Sequence, residues 1–387
     1  MKPEIARDTP GITRNPVAPP VPASSSHLNQ RLATAFVITV VYALAAAAAF
    51  HGYYTKWRMN DFVPANSLVA MLDGTAHRPF VYRQFLPQIA TAIDRALPEG
   101  ARSAIERRLQ EGQVGLRAPI GGEATKPGYV IRYRIAYYGT FLSLFLALFA
   151  LRSVCLSIGA SHAAATAAPA MFALMFPILQ TRGGYFYDLP EVLFFALAAR
   201  LALGGHIIPL LLLAVPATLN KEAFLFYCLA LPPLLMVRLS LRNSIATALA
   251  AAFISGVTYL AVRHAYAAND GQNAILQLFD NILFYANPLN LFLIDQTYGL
   301  PLFKGYGVVA FVWFAVLMVY GWRLVPTCIH KHLMLAAIIN VPLLLLFCAE
   351  GEVRNLSMLY VAIVALIAGA LTRWIGMNAA PTGPLTH

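Results

Sequence analysis

The sequence predicts an all-α, polytopic membrane protein: a transmembrane helical bundle of about ten spans with interfacial helices in its first outside loop. Two observations carry that expectation. Hydrophobic residues make up 59% of the 387-residue chain and charged residues only 12%, against roughly a quarter charged in a soluble domain. Long apolar runs also recur along the chain, and mean hydropathy is +0.64. A helix of about 20 apolar residues crosses a hydrocarbon core of roughly 30 Å.

Residues 1–30 are rich in Pro, Ser and Ala and lack periodicity, as a disordered tail does. The tail is set at 1–32, the membrane domain at 33–375 and a second tail at 376–387. No cleavable signal is expected, because the charged lead is long and the first apolar run resembles a signal anchor. Spans are expected at about 33–50, 134–153, 162–179, 189–203, 206–219, 222–237, 245–263, 307–322, 333–349 and 356–373. Several are short, and Pro177, Pro190, Pro209, Pro216, Pro232 and Pro233 suggest broken or tilted helices around a cavity. The stretch 206–237 also suits one re-entrant element.

Orientation follows from basic residues. With the N-terminus inside, short inner segments hold Arg152, Arg200, Arg238, Arg242, Arg323, Lys331 and Arg373, as the positive-inside rule expects. Both termini are then expected in the cytoplasm and the active face outside, with a bacterial inner (plasma) membrane as the expected setting. The net charge of +11 reads as topology and anionic lipid contact. No basic patch outside the membrane loops suits nucleic acid.

The first outside loop, 51–133, carries amphipathic stretches. One has Leu68, Val69 and Leu72. Another, Phe80 to Leu97, puts Phe85, Leu86, Ile89 and Ile93 on one helical face. A third is Ala101 to Leu109. These are expected to lie along the interface. Residues 112–128 read as a flexible connector. In the loop 264–305, the apolar stretch Ile275 to Phe284 reads as one more interfacial element. The four cysteines, Cys155, Cys228, Cys328 and Cys348, read as small hydrophobes without disulfides.

Polar residues gather in four loops of the same predicted face. Asp61, just after the first span, suits a general base and equally a helix cap. Arg78 and Arg83 flank an aromatic segment and suit phosphate, which guanidinium binds with paired donors; snorkelling would explain them as well. Arg182, Tyr187 and Asp188 end the second outside loop, where an aromatic face and a carboxylate suit a sugar. Glu191 follows inside an apolar run, where an acid is expensive. Asn220, Lys221 and Glu222 sit between two apolar runs, with Lys221 able to meet phosphate as a point charge. Glu350, Glu352 and Arg354 form a short turn that suits a second phosphate contact or a surface salt bridge. There is no P-loop, zinc-ligand spacing, Ser-His-Asp pattern or GxGxxG.

This layout resembles the GT-C superfamily of polytopic glycosyltransferases over roughly residues 33–240. The shared features are an acid soon after span one (Asp61), interfacial helices before span two (64–109), and another acid between spans three and four (Asp188). It is also similar to uncharacterised bacterial membrane proteins with Arg-Pro-Phe-Val-Tyr-Arg, Tyr-Asp-Leu-Pro and Asn-Lys-Glu segments. The departures are the lack of a DxD or ExD pair in the first loop, of a WWDYG-like motif and of a soluble C-terminal domain. The resemblance therefore implies no cofactor, and a divalent metal is not indicated. It implies a polyprenyl-phosphate sugar as donor, a glycan or lipid as acceptor, and the bilayer as the setting. Asp61 would take the acceptor proton and Asp188 would orient the sugar. Arg83, Lys221 and Arg354 would offset phosphate charge, with Arg78, Arg182, Tyr187, Glu222 and Glu352 as further substrate contacts. The competing readings are a transporter or flippase for a lipid-linked sugar or organic anion, a polysaccharide polymerase or ligase, and a structural scaffold in a membrane complex.

Overall fold

The computed structural model describes residues 25–61, 63–111, 128–272 and 274–378. The chain divides into two compact units, Met1–Val40 and Val41–His387. The first is helical over its described part. The candidate site discussed below lies in the second.

Helix accounts for 78% and strand for 3% of the structure, so the all-α expectation holds apart from one hairpin. Helix α1 (Ser25–Trp57) leads to three short helices, α2 (Leu68–Leu72), α3 (Phe85–Ala96) and α4 (Glu99–Gln110). Then come α5 (Val130–Ser157), α6 (His162–Leu179), α7 (Asp188–Gly204) and α8 (Ile207–Asn220). The pair α9 (Ala223–Leu229) and α10 (Pro232–Leu235) precedes α11 (Leu241–Ala265) and α12 (Leu278–Ala286). A hairpin, β1 (Ile294–Thr297) with β2 (Leu300–Phe303), pairs Ile294 with Phe303 in antiparallel register. Helices α13 (Val308–Gly321), α14 (Thr327–Phe347) and α15 (Tyr360–Asn378) complete the fold.

Among the described residues seven helical stretches are long and apolar enough to cross a membrane, those built on α1, α5, α6, α11, α13, α14 and α15, with the α13 stretch running through its flanking turns from Gly305 to Leu324. That is fewer than the ten expected spans. Helix α8 has 14 residues, about 21 Å at 1.5 Å per residue, which is short of a roughly 30 Å core. The expected span 222–237 is not one helix. Pro232 and Pro233 open a new short helix there, because proline has no N–H to give the preceding turn.

Small residues set the packing. Ala164, Ala165 and Ala168 of α6 and Ala362, Ala365 and Ala368 of α15 are buried, and α6 packs on α15. Small side chains let membrane helices approach closely. Helix α5 packs along α7, and α11 along α8 and α9.

Helix α3 corrects one detail. Its buried residues are Leu86, Pro87 and Ala90, while Ile89 and Ile93 are exposed. The apolar face splits, one edge against α5 and the other outward. Residues 25–30, expected in the disordered tail, already belong to α1. The connector at 112–127, most of the N-terminal tail and the last residues, 379–387, lie outside the described residues.

Candidate functional site

The four polar loops meet at the ends of α7, α8 and α14. Gly183 has a φ of +69°, which glycine adopts without a Cβ penalty. The bend brings Tyr185 and Tyr187 inward, and α7 begins at Asp188. Asp188 Oδ2 accepts the Tyr185 N–H at 2.9 Å, so the acid closes the turn that precedes its own helix. Its other oxygen accepts from Arg354 Nη1 at 2.7 Å, and Asp188 is only 3% exposed.

Lys221 ends α8 with an extended backbone. Its Nζ donates to Glu191 Oε2 at 2.9 Å and to Asn355 Oδ1 at 3.0 Å, with Asp188 Oδ1 at 3.7 Å. Glu191 also accepts from the Ser357 hydroxyl at 3.0 Å. Burial alone would lower the Lys221 pKa, but the carboxylates of Glu191 and Asp188 reverse this and hold it above its ordinary value. Arg354 has three partners besides. Nη2 donates to Glu352 Oε1 at 3.1 Å and Nε to the Arg182 carbonyl at 3.2 Å. The guanidinium also lies 4.9 Å from the centre of the Tyr185 ring.

The tyrosines form the middle of a layered stack. Tyr185 and Tyr187 lie 5.0 Å apart with 7° between their planes. Arg354 covers Tyr185 on one side, and Arg83 lies 5.2 Å from the Tyr187 ring on the other. Guanidinium over a phenol ring is a cation–π contact. Arg83 Nη2 donates to Glu222 Oε1 at 2.5 Å. Its Nε and Nη1 are buried and have no hydrogen-bond partner, although the residue is just 6% exposed.

Above this stack is a cavity of about 460 Å³, within the range of small-molecule sites. Arg83, Tyr187, Lys221, Glu222, Glu352 and Arg354 all line it, so six of the ten residues singled out in the sequence share one chamber. Its lining also includes the apolar Ile275, Leu343, Phe347 and Met358.

The other four residues have different places. Asp188 lies behind the wall, bound to Arg354. Arg78 Nη2 donates to the Gly271 carbonyl at 2.8 Å, which ties two loops together. Arg182 pairs with Glu350 and lines a separate cavity of about 200 Å³ with Trp57 and Lys304. Asp61 lies outside the large cavity. Its Oδ1 accepts the Leu68 N–H at 2.8 Å and its Oδ2 the Tyr133 hydroxyl. Each oxygen thus has one partner, and Asp61 links α2 to α5.

Burial pushes the Asp61 carboxyl up to about 6, against the hydrogen bonds from Tyr133 and Leu68, which pull it down. A raised acid favours the folded state while it is protonated, and that contribution is lost as pH rises through the folded value. We expect the parent to lose stability between about pH 4 and pH 6 from this group. Asp61→Asn keeps an acceptor for the Leu68 N–H, reverses the bond to Tyr133, whose hydroxyl then accepts from the amide, and removes the titrating group, so it should flatten that dependence, with a higher melting temperature than the parent at pH 7.5. Scanning fluorimetry in detergent checks it; parallel curves for the two proteins would refute the assignment.

Sequence reasoning passed over several partners. Tyr185, Asn340, Asn355 and Tyr259 line the cavity, and Ser357 supports Glu191. Asn340 stands alone in an apolar helix, where its side chain joins the Asn355 carbonyl at 2.8 Å to the Met358 N–H at 3.2 Å. An uncompensated amide in such a helix is costly, and that was the available signal. Among the described residues no three His, Cys, Asp or Glu side chains gather as a metal site. No family model, curated protein or solved structure matches this chain.

Proposed function

We propose that this chain is a membrane glycosyltransferase of the GT-C kind, taking a sugar from a polyprenyl-phosphate donor and passing it to a hydroxyl acceptor. One observation carries the reading. Arg83 lines a cavity and has two buried guanidinium nitrogens unpartnered, and the same cavity is lined by the apolar Ile275, Leu343 and Phe347. Such a chamber suits an amphiphile with an anionic head and an apolar tail, because a buried N–H without a partner costs about 1–3 kcal/mol until an acceptor arrives.

The donor phosphate binds at Arg83. The acceptor oxygen attacks the anomeric carbon as the bond from that carbon to the phosphate oxygen breaks. The bonding electrons leave with the polyprenyl phosphate, whose growing charge Arg83 offsets. The acceptor proton goes to a carboxylate. Two carboxylates line the cavity. Glu352 is engaged through both oxygens, by Arg354 and Asn355, whereas Glu222 meets Arg83 through Oε1. Glu222 is therefore the proton acceptor in this reading, in place of Asp61, which does not line the cavity. Lys221 and Arg354 are positioning residues held by Asp188 and Glu191.

Native mass spectrometry of protein purified from its own membranes tests the proposal. The parent should carry a glycosylated polyprenyl phosphate together with the sugar-free lipid product. Glu222→Gln should shift that mixture toward the glycosylated donor, because binding persists while proton transfer fails. A folded parent that holds neither lipid, even when both are added, overturns the reading and favours a transporter or scaffold.

A further inference from the structure

We infer that residues 275–303 form a membrane-inserted element, whose partner is the boundary between headgroups and acyl chains of the lipid bilayer. The segment lies between two membrane-crossing helices, α11 and α13. It contains two aspartates and no basic residue. Phe279, Leu283, Leu289, Phe292, Ile294 and Leu300 all project outward, Phe279 with 73% of its surface exposed. An apolar set this dense on one segment marks an interaction site rather than ordinary surface scatter.

Anchoring contacts give its depth. Tyr298, at the hairpin turn, donates its hydroxyl to the Leu174 carbonyl at 3.0 Å. Leu174 is five residues inside the end of α6, about 7.5 Å along the helix axis at 1.5 Å per residue. The Tyr298 ring lies over Gly52 so closely that a Cβ there would sit 2.6 Å from a ring carbon. Gly52 is likewise five residues inside the end of α1. On the far side, Gln277 N–H donates to the Leu346 carbonyl at 2.8 Å, and the Asn281 amide donates to the Leu345 and Cys348 carbonyls at 3.0 and 2.9 Å. The segment thus reaches below the ends of helices that cross the membrane. A depth of roughly 5–10 Å is that of amphipathic elements lying in a bilayer interface.

The charges agree. Asp295 is held by Lys56 Nζ at 2.6 Å, and Lys56 also donates to Thr297 Oγ1 at 3.1 Å and to the Pro177 carbonyl at 3.3 Å. The carboxylate therefore enters this region with its counter-ion. The hairpin has only two strands, so its outer N–H and C=O groups need water. That places it at the boundary and not in the hydrocarbon centre, where open edges do not occur.

The test is independent of the transferase reading. Full-length protein, with its cysteines changed to alanine, would carry a single nitroxide at Leu283→Cys or Leu289→Cys in phosphatidylcholine vesicles. Power saturation with oxygen and with a water-soluble nickel chelate reads depth. Phe253→Cys, in the middle of α11, is the lipid reference and a water-soluble nitroxide free in solution the aqueous one. The two loop labels should show an oxygen-to-nickel accessibility ratio several-fold above the aqueous label and approaching the Phe253 label. A ratio at 283 and 289 equal to the aqueous label, with the Phe253 label still lipid-exposed and so the fold intact, overturns the insertion. A loop label immobilised and shielded from both reagents overturns it too, in favour of a protein partner.

Discussion

Replacing Arg354 with methionine should cost about 3–5 kcal/mol of folding stability, the usual penalty for removing one partner of a buried ion pair. Asp188 is 3% exposed and Arg354 5%, so Asp188 cannot turn to water when the guanidinium goes. It would keep the Tyr185 N–H, with the Lys221 ammonium only at 3.7 Å. The layered stack would lose its end as well, since Arg354 covers Tyr185. The companion experiment is Arg354→Met combined with Asp188→Asn. With no carboxylate left beside the methionine, the double variant should recover a substantial part of the loss, because a buried pair replaced as a unit is often close to neutral. Equilibrium unfolding in mixed micelles reads both. A single variant as stable as the parent, or a double variant worse than the sum of the single changes, would show that the cluster does not hold this end of the fold together.

Arg83→Ala should behave in the opposite way. Its partner Glu222 keeps 30% of its side chain exposed, so the orphaned carboxylate stays hydrated and the variant should lose clearly less stability than Arg354→Met. Affinity for a polyprenyl phosphate should fall by about tenfold to a hundredfold, since hydrogen bonds to charged groups contribute about 1.5–3 kcal/mol. Titration of the lipid into detergent-solubilised protein, followed by native mass spectrometry, reads the affinity. Unchanged binding with unchanged stability would remove Arg83 from the site. The two arginines share a cavity and a tyrosine stack, and they differ in whether their nitrogens are already used.

That difference explains how far the site was legible in the sequence. Arg83, Lys221, Glu222, Glu352 and Arg354 announced themselves as charges between apolar runs, and they do line one cavity. Their pairing was not readable. Lys221 and Arg354, expected to wait for phosphate, are occupied by Glu191, Asp188 and Glu352. Asp61, just after the first span, suits a general base or a helix cap equally from sequence. Arg58, Met59 and Asn60 all have positive φ, and after this left-handed turn the carboxylate meets Tyr133 instead. The β1–β2 hairpin was also missed, because Asp295-Gln296-Thr297 carries no alternation strong enough to mark a strand.

By itself, the sequence determined that this chain is helical and membrane-embedded, roughly where its helices lie, and which loops carry charge. Those properties follow from local composition, because an apolar run in a bilayer has to satisfy its own backbone as a helix. Tertiary structure alone decided which charges neutralise one another and which guanidinium keeps nitrogens without a hydrogen-bond partner. In a buried site that outcome depends on separations of a few tenths of an ångström between residues as far apart in the chain as Asp188 and Arg354. Attraction and desolvation nearly cancel there, so neither the type of residue nor its spacing reveals which pairs form.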